Sequence, residues 1–124
     1  MSYCFQINYK CSFYCEIMLV NLQNISPLSE NVISFLTSIS ENKKVEKMIV
    51  FGSRAYQDHE KYSDLDIAIE APELTNLEWL KLKEFAIYDL DAFIHVSLVN
   101  YTKTPESLKT RINQTGKIIY DRQS

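Results

Sequence analysis

No run in the 124-residue chain is long and apolar enough to cross a membrane as a helix. The N terminus lacks a basic start followed by a clean apolar run, which argues against a secretory signal. Positive charge is also short. Lys and Arg number 13 against 16 Asp and Glu, leaving a net charge of −3, the wrong balance for a generic nucleic-acid binder. A nucleotide ligand stays open, because a metal ion can supply positive charge locally. The three cysteines, Cys4, Cys11 and Cys15, all fall near the N terminus. An odd count completes no disulfide framework, and no nearby His completes a zinc quartet. Reduced thiols and a cytoplasmic location are therefore expected. Repeats, linkers and low-complexity tracts are missing too. What remains is one domain of ordinary globular composition, 46% hydrophobic and 23% charged.

The elements that are present carry clear punctuation. "ISPLSENVISFLTSISEN" reads as a helix, with Ser26 as cap, Pro27 at its first position, and a stripe of Val32, Ile33, Phe35, Leu36 and Ile39. "VEKMIVFG" (45–52) reads as a strand, and Ser53 as the N-cap of a short helix over "RAYQ". "LDIAIE" (65–70) alternates, with Leu65, Ile67 and Ile69 on one face. "TNLEWLKLKEFAIYDL" has Thr75 and Glu78 at capping-box spacing, and the spacing predicts Leu77, Leu80 and Phe85 on its buried face. "AFIHVSLV" (92–99) reads as the next strand, and Trp79, Phe85 and Phe93 as core aromatics. A last helix is capped by Thr104, with Pro105 at its first position and Gly116 just past its end, before the short strand "KIIY" (117–120). This order predicts an α/β (α+β) domain with helices packed on a small mixed β-sheet. Residues 1–17, rich in aromatics and cysteine, read equally as an extra strand or as an upstream start.

The chemistry concentrates in "VFGSRAYQDHEKYSDLDIAIE" (50–70). Residues i and i+2 of a strand point the same way, so Asp64 and Asp66 project together. Two ionised carboxylates this close repel, and without a cation one takes up a proton. A divalent ion removes the conflict. Hard oxygens suit Mg²⁺, which keeps positions open for phosphate oxygens. Gly52 admits a ligand close to the backbone, and Ser53 offers a hydroxyl and an amide where phosphate is favoured. Phosphate cradle plus metal-holding carboxylates is the equipment of phosphoryl or nucleotidyl transfer. Read singly, "SDLD" is also compatible with a solvated strand end and Ser53 with a plain cap.

The combination is more specific. Gly52-Ser53, ten residues, then Asp64-x-Asp66 between apolar strands resembles the minimal nucleotidyltransferases (MNT) of the DNA polymerase beta superfamily, whose pattern is G-S-x10-D-x-D. "FGSRA" and "YSDLDIAI" are also typical of that family, and the likeness covers about Val32 to Tyr120. The resemblance implies a polymerase-beta-like nucleotidyltransferase fold over 26–124, with 1–25 left as an N-terminal segment. It implies Mg²⁺ on Asp64 and Asp66, a triphosphate, most simply that of ATP, over Gly52 and Ser53, and Arg54 beside the phosphates. Small single-domain members resemble this chain in size. They serve as antitoxins of HEPN-domain RNase toxins, adenylylating a toxin tyrosine and binding the toxin directly. The expected partners are thus an NTP and a HEPN protein, in a homo- or hetero-oligomer, with no membrane and no direct nucleic-acid contact.

One position departs from the family pattern. Active members usually carry a third carboxylate on the following core strand, where "VSLVNY" (96–101) places Ser97. Serine is a weak neutral ligand and no base at neutral pH. An alternative alignment makes Asp91 the third carboxylate, although Asp91 reads as a turn residue feeding the strand. His95 shares the face of Ser97, either as a substitute base or as a plain strand residue. His59 and Lys61 read as solvated surface.

Overall fold

The computed structural model describes residues 19–21, 25, 27–55 and 64–122. Seven regular elements order them: α1 (Glu30–Ser40), β1 (Lys47–Phe51), β2 (Leu65–Glu70), α2 (Asn76–Glu84), β3 (Val96–Asn100), α3 (Glu106–Thr115) and β4 (Lys117–Asp121). The strands form one four-stranded sheet in the order β3-β2-β1-β4. β1 is antiparallel to both β2 and β4, and β2 is parallel to β3. The expected small mixed sheet is what forms.

Alternation along the strands divides the sheet into two faces. Met48, Val50, Leu65, Ile67, Ile69, Val96 and Leu98 pack under α1 and α2, against Val32, Phe35, Leu36, Ile39 and Trp79. On the other face Ile49 and Ala68 pack against Ile112 and Leu108 of α3. That second cluster is small, with Phe51 and Tyr101 packed at its margin beside Leu108. No helix among the described residues is long and apolar enough to cross a membrane.

Several local expectations shift. Ser26 lies outside the described residues. The N-cap of α1 is Ser29, whose Oγ accepts from Val32 N at 3.3 Å. The capping box of α2 forms as the sequence implies, Thr75 Oγ1 accepting from Glu78 N and Glu78 accepting from Thr75 N. Thr104 does not cap α3. Pro105 takes that position, and Thr104 Oγ1 donates instead to Asn100 O at 2.7 Å. Gly116 follows the helix as expected, its N–H donating to Ile112 O.

The buried face of α2 is also corrected. Trp79 is buried, but Leu77, Leu80 and Phe85 are 59%, 52% and 42% exposed. Helical spacing permits either stripe, and the indole, the larger apolar body, takes the core with Leu82 beside it. Residues Phe85–Asp89 then close a π turn, and Phe85 stacks on Phe35 with ring centroids 5.1 Å apart. Phe93, expected in the core, is 93% exposed. The cause is strand length. β3 begins at Val96, the partner of Leu65 at the start of β2, and the His95 carbonyl, accepting from Leu65 N, is the last bond of the pairing on that side among the described residues.

The sheet also receives chain from before α1. Val20 N donates to Ile119 O, Asn21 Nδ2 donates to Ile118 O, and Ile25 is wholly buried in the larger cluster.

Candidate active site

β1 delivers the chain to the site and stops there. Its last residue, Phe51, is the register partner of Asp66 on β2, and Gly52 follows at φ +74°. That is the left-handed region, cheap only for glycine. A 3₁₀ turn, Gly52–Ala55, then carries Ser53 into solvent. The expected short helix over "RAYQ" is this turn as far as Ala55; Tyr56 and Gln57 lie outside the described residues, as do His59, Lys61 and the three cysteines.

Gly52 and Asp66 touch. A Cβ added to Gly52 would lie 2.5 Å from Asp66 Oδ2, closer than real side chains approach. The carboxylate therefore rests directly on the backbone of the turn, and both the conformation and the space demand glycine.

Asp64 is exposed just before β2, while Asp66 is half-buried on it. Burial raises the Asp66 pKa, the neighbouring charge of Asp64 raises it further, and His95 pulls it partly back down. The repulsion anticipated between the two aspartates is thus present at Asp66, and His95 is near enough to act on it.

Asp66 and Ser97 are register partners across β2 and β3. With Val96 and Leu98 in the core, Ser97 and Asp66 share the opposite face. Asp91 lies six residues earlier on an exposed loop, its carbonyl accepting from Asn31 Nδ2 of α1 at 2.9 Å. Of the two candidates for the third position, Ser97 is the one aligned with Asp66.

Arg54 follows Ser53 on the 3₁₀ turn. Its side chain is fully buried, and Nη1 donates to the carbonyls of Ile25 and Pro27 at 2.8 and 2.6 Å. Burial lowers its pKa from the ordinary guanidinium range. It holds the back of the glycine-serine turn to the segment that precedes α1. Phe51 is the residue the sequence analysis passed over. Standing opposite Asp66, it supplies apolar surface beside the carboxylate; only the antiparallel register reveals this.

Asp64 and Asp66 offer the hard oxygen donors that suit a divalent cation, and Asp66's raised affinity for a proton is what such a cation would relieve. No group of three His, Cys, Asp or Glu side chains gathers around a metal position among the described residues. The residues fit a cation held by two carboxylates, its other positions left to ligand oxygens and water.

A mixed four-stranded sheet with helices on both faces, bearing a glycine-serine turn against paired aspartates, defines the class of polymerase-beta-like nucleotidyltransferases. Residues 30–124 match the family described as Polymerase beta, Nucleotidyltransferase, and the chain belongs to it. Its structural likeness is to MNT antitoxins of toxin–antitoxin complexes. A mutant MntA–HpeT toxin–antitoxin complex contains a chain 28% identical, with TM-score 0.56, the match covering 77% of this chain and 75% of that one. A toxin–antitoxin structure with AMP-PNP gives 26% identity and TM-score 0.57, covering 75% and 73%. A tri-AMPylated Shewanella oneidensis HEPN toxin in complex with its MNT antitoxin gives 25% and 0.52, covering 74% and 68%. No curated protein matches the chain.

Proposed function

We propose that the protein transfers AMP from ATP to a hydroxyl of a HEPN-type partner and thereby serves as its antitoxin. The observation that carries this reading is the contact between Gly52 and the Asp66 carboxylate, which sets the glycine-serine turn directly against an acidic side chain. The AMP-PNP in one relative's structure and the AMPylated HEPN toxin in another support the choice of nucleotide and partner. The transferase domain spans 26–124 in this reading, and a cytoplasmic location accords with it.

In the reaction the acceptor oxygen attacks the α-phosphorus, the bond to the bridging oxygen breaks, and pyrophosphate leaves. Gly52 lets the Asp66 carboxylate lie against the turn, and Ser53 presents a hydroxyl to the phosphates. Asp64 and Asp66 would hold Mg²⁺, which supplies neutralisation of the charge developing on the phosphates. The acceptor proton needs a destination. Ser97 is no base, so the proton passes to solvent or to His95, which is near enough to act on Asp66.

Ser97 also favours a second reading. With a neutral residue aligned on Asp66, the domain binds nucleotide or toxin without efficient turnover. Label transfer separates the two. As an enzyme, the protein moves label from α-labelled ATP onto the HEPN protein, and Asp64→Asn or Asp66→Asn abolishes it. As a binding module, it neutralises the toxin equally well with both aspartates replaced.

A further inference from the structure

We propose that the exposed apolar strip running from α2 to the loop before β3 is the docking surface for the acceptor protein, and that it fits a partner patch with an apolar centre and a basic rim. The inference rests on the transfer reaction above. α2 turns Leu77 and Leu80 outward, and the strip continues with Ile87 and Tyr88, 58% and 80% exposed, to Phe93. Single exposed apolar side chains are ordinary. A run of large ones along one stretch of chain marks an interaction surface.

The charges around the strip identify what covers it. Lys81 and Lys83 flank the strip at its α2 end, whereas the remainder, residues 84–95, contains Glu84, Asp89 and Asp91 and no Lys or Arg, and all three carboxylates are exposed. Such a rim repels a triphosphate and attracts lysine and arginine. An acceptor with basic residues around an apolar centre satisfies both features at once, the usual division between core and rim of an interface.

The strip also reaches the chemistry. Phe93 lies two residues before His95, a reach of at most about 7 Å. His95 O accepts from Leu65 N at 2.9 Å, beside Asp64 and Asp66. The Phe93 end of the strip therefore lies near the carboxylate pair, and a body seated on Phe93 has a hydroxyl within reach of it.

The test uses the full chain with Mg²⁺, AMP-PNP for affinity, α-labelled ATP for transfer, and a HEPN-domain toxin as acceptor. Phe93→Glu, Tyr88→Lys and the pair Glu84→Lys with Asp89→Lys alter exposed positions only, and their folding is checked by thermal melting. The expected result is unchanged AMP-PNP affinity, at least a tenfold loss of label transfer to the HEPN protein, and hydrogen-exchange protection of 84–95 that appears only in the complex. Full-rate transfer by all of these variants overturns the proposal. So does a wild-type dimer that Phe93→Glu dissociates while transfer is unchanged, since the strip then belongs to a second copy. Protection of 84–95 in the free chain that vanishes when residues 1–18 are removed overturns it as well. A wild type that binds no AMP-PNP, or binds it and labels no HEPN protein, sinks the transfer reading itself, and this inference with it. That outcome is distinct from full-rate transfer by the variants.

Discussion

Asp66 and Ser97 stand opposite each other across the parallel pair β2 and β3, on the face that carries the glycine-serine turn. Restoring a carboxylate at that point supplies both a ligand and a base. Ser97→Asp is expected to raise the Mg²⁺-dependent transfer rate by about 10²-fold, the lower end of what a positioned acid–base group contributes. Without metal the same variant adds a third like charge, so its melting temperature in EDTA falls below wild type. Single-turnover label transfer and melting curves check the two halves. An unchanged rate means another group already accepts the proton.

Gly52→Ala meets two obstacles at once, a φ of +74° and a carboxylate oxygen 2.5 Å from the new Cβ. The strain costs about 1–3 kcal/mol, read by urea denaturation. Asp66 must also move, so Mg²⁺-dependent nucleotide binding should be lost even in the folded fraction. Retained affinity would show that the turn and the carboxylate act separately.

The pH dependence follows from the raised pKa of Asp66. Folding favours its neutral form, so that contribution to stability is complete below the ordinary aspartate value of about 3.9. It is lost as pH rises through the higher value in the fold. Metal-free wild type should therefore lose stability across that window. Asp66→Asn should lack the decline and melt above wild type near neutral pH. Mg²⁺ should restore the wild type there and leave the variant unmoved. Parallel melting curves for the two proteins across pH, in EDTA, would contradict this.

Arg54 tests a structural role. Its two bonds to the Ile25 and Pro27 carbonyls are charge-assisted and buried. Hydrogen bonds to charged groups contribute about 1.5–3 kcal/mol each. Arg54→Ala should lower unfolding free energy by about 3 kcal/mol or more. A variant with unaltered stability and only weakened nucleotide binding would assign Arg54 to the phosphates instead.

Much of this architecture was legible in the chain. β2 is read to the residue because its apolar positions alternate without interruption, and the Thr75–Glu78 box fixes the start of α2. The two aspartates stand out in the chain because like charges at i and i+2 of a strand repel. Three things were hidden, each by a different physical cause. The start of β3 depends on where its partner strand begins. The inward stripe of α2 depends on which side chain fills the core, and Leu77 competes there with Trp79. The direction of Arg54 depends on the carbonyls of Ile25 and Pro27, far away in sequence and supplied only by the fold.

The most direct measurement is calorimetric titration of the purified protein with AMP-PNP, with and without Mg²⁺, repeated on Asp66→Asn. The account predicts uptake by the wild type only when Mg²⁺ is present, and none by the variant. No uptake by the wild type, or equal uptake in EDTA, would contradict the claim that the aspartate pair and the glycine-serine turn form one metal-dependent nucleotide site.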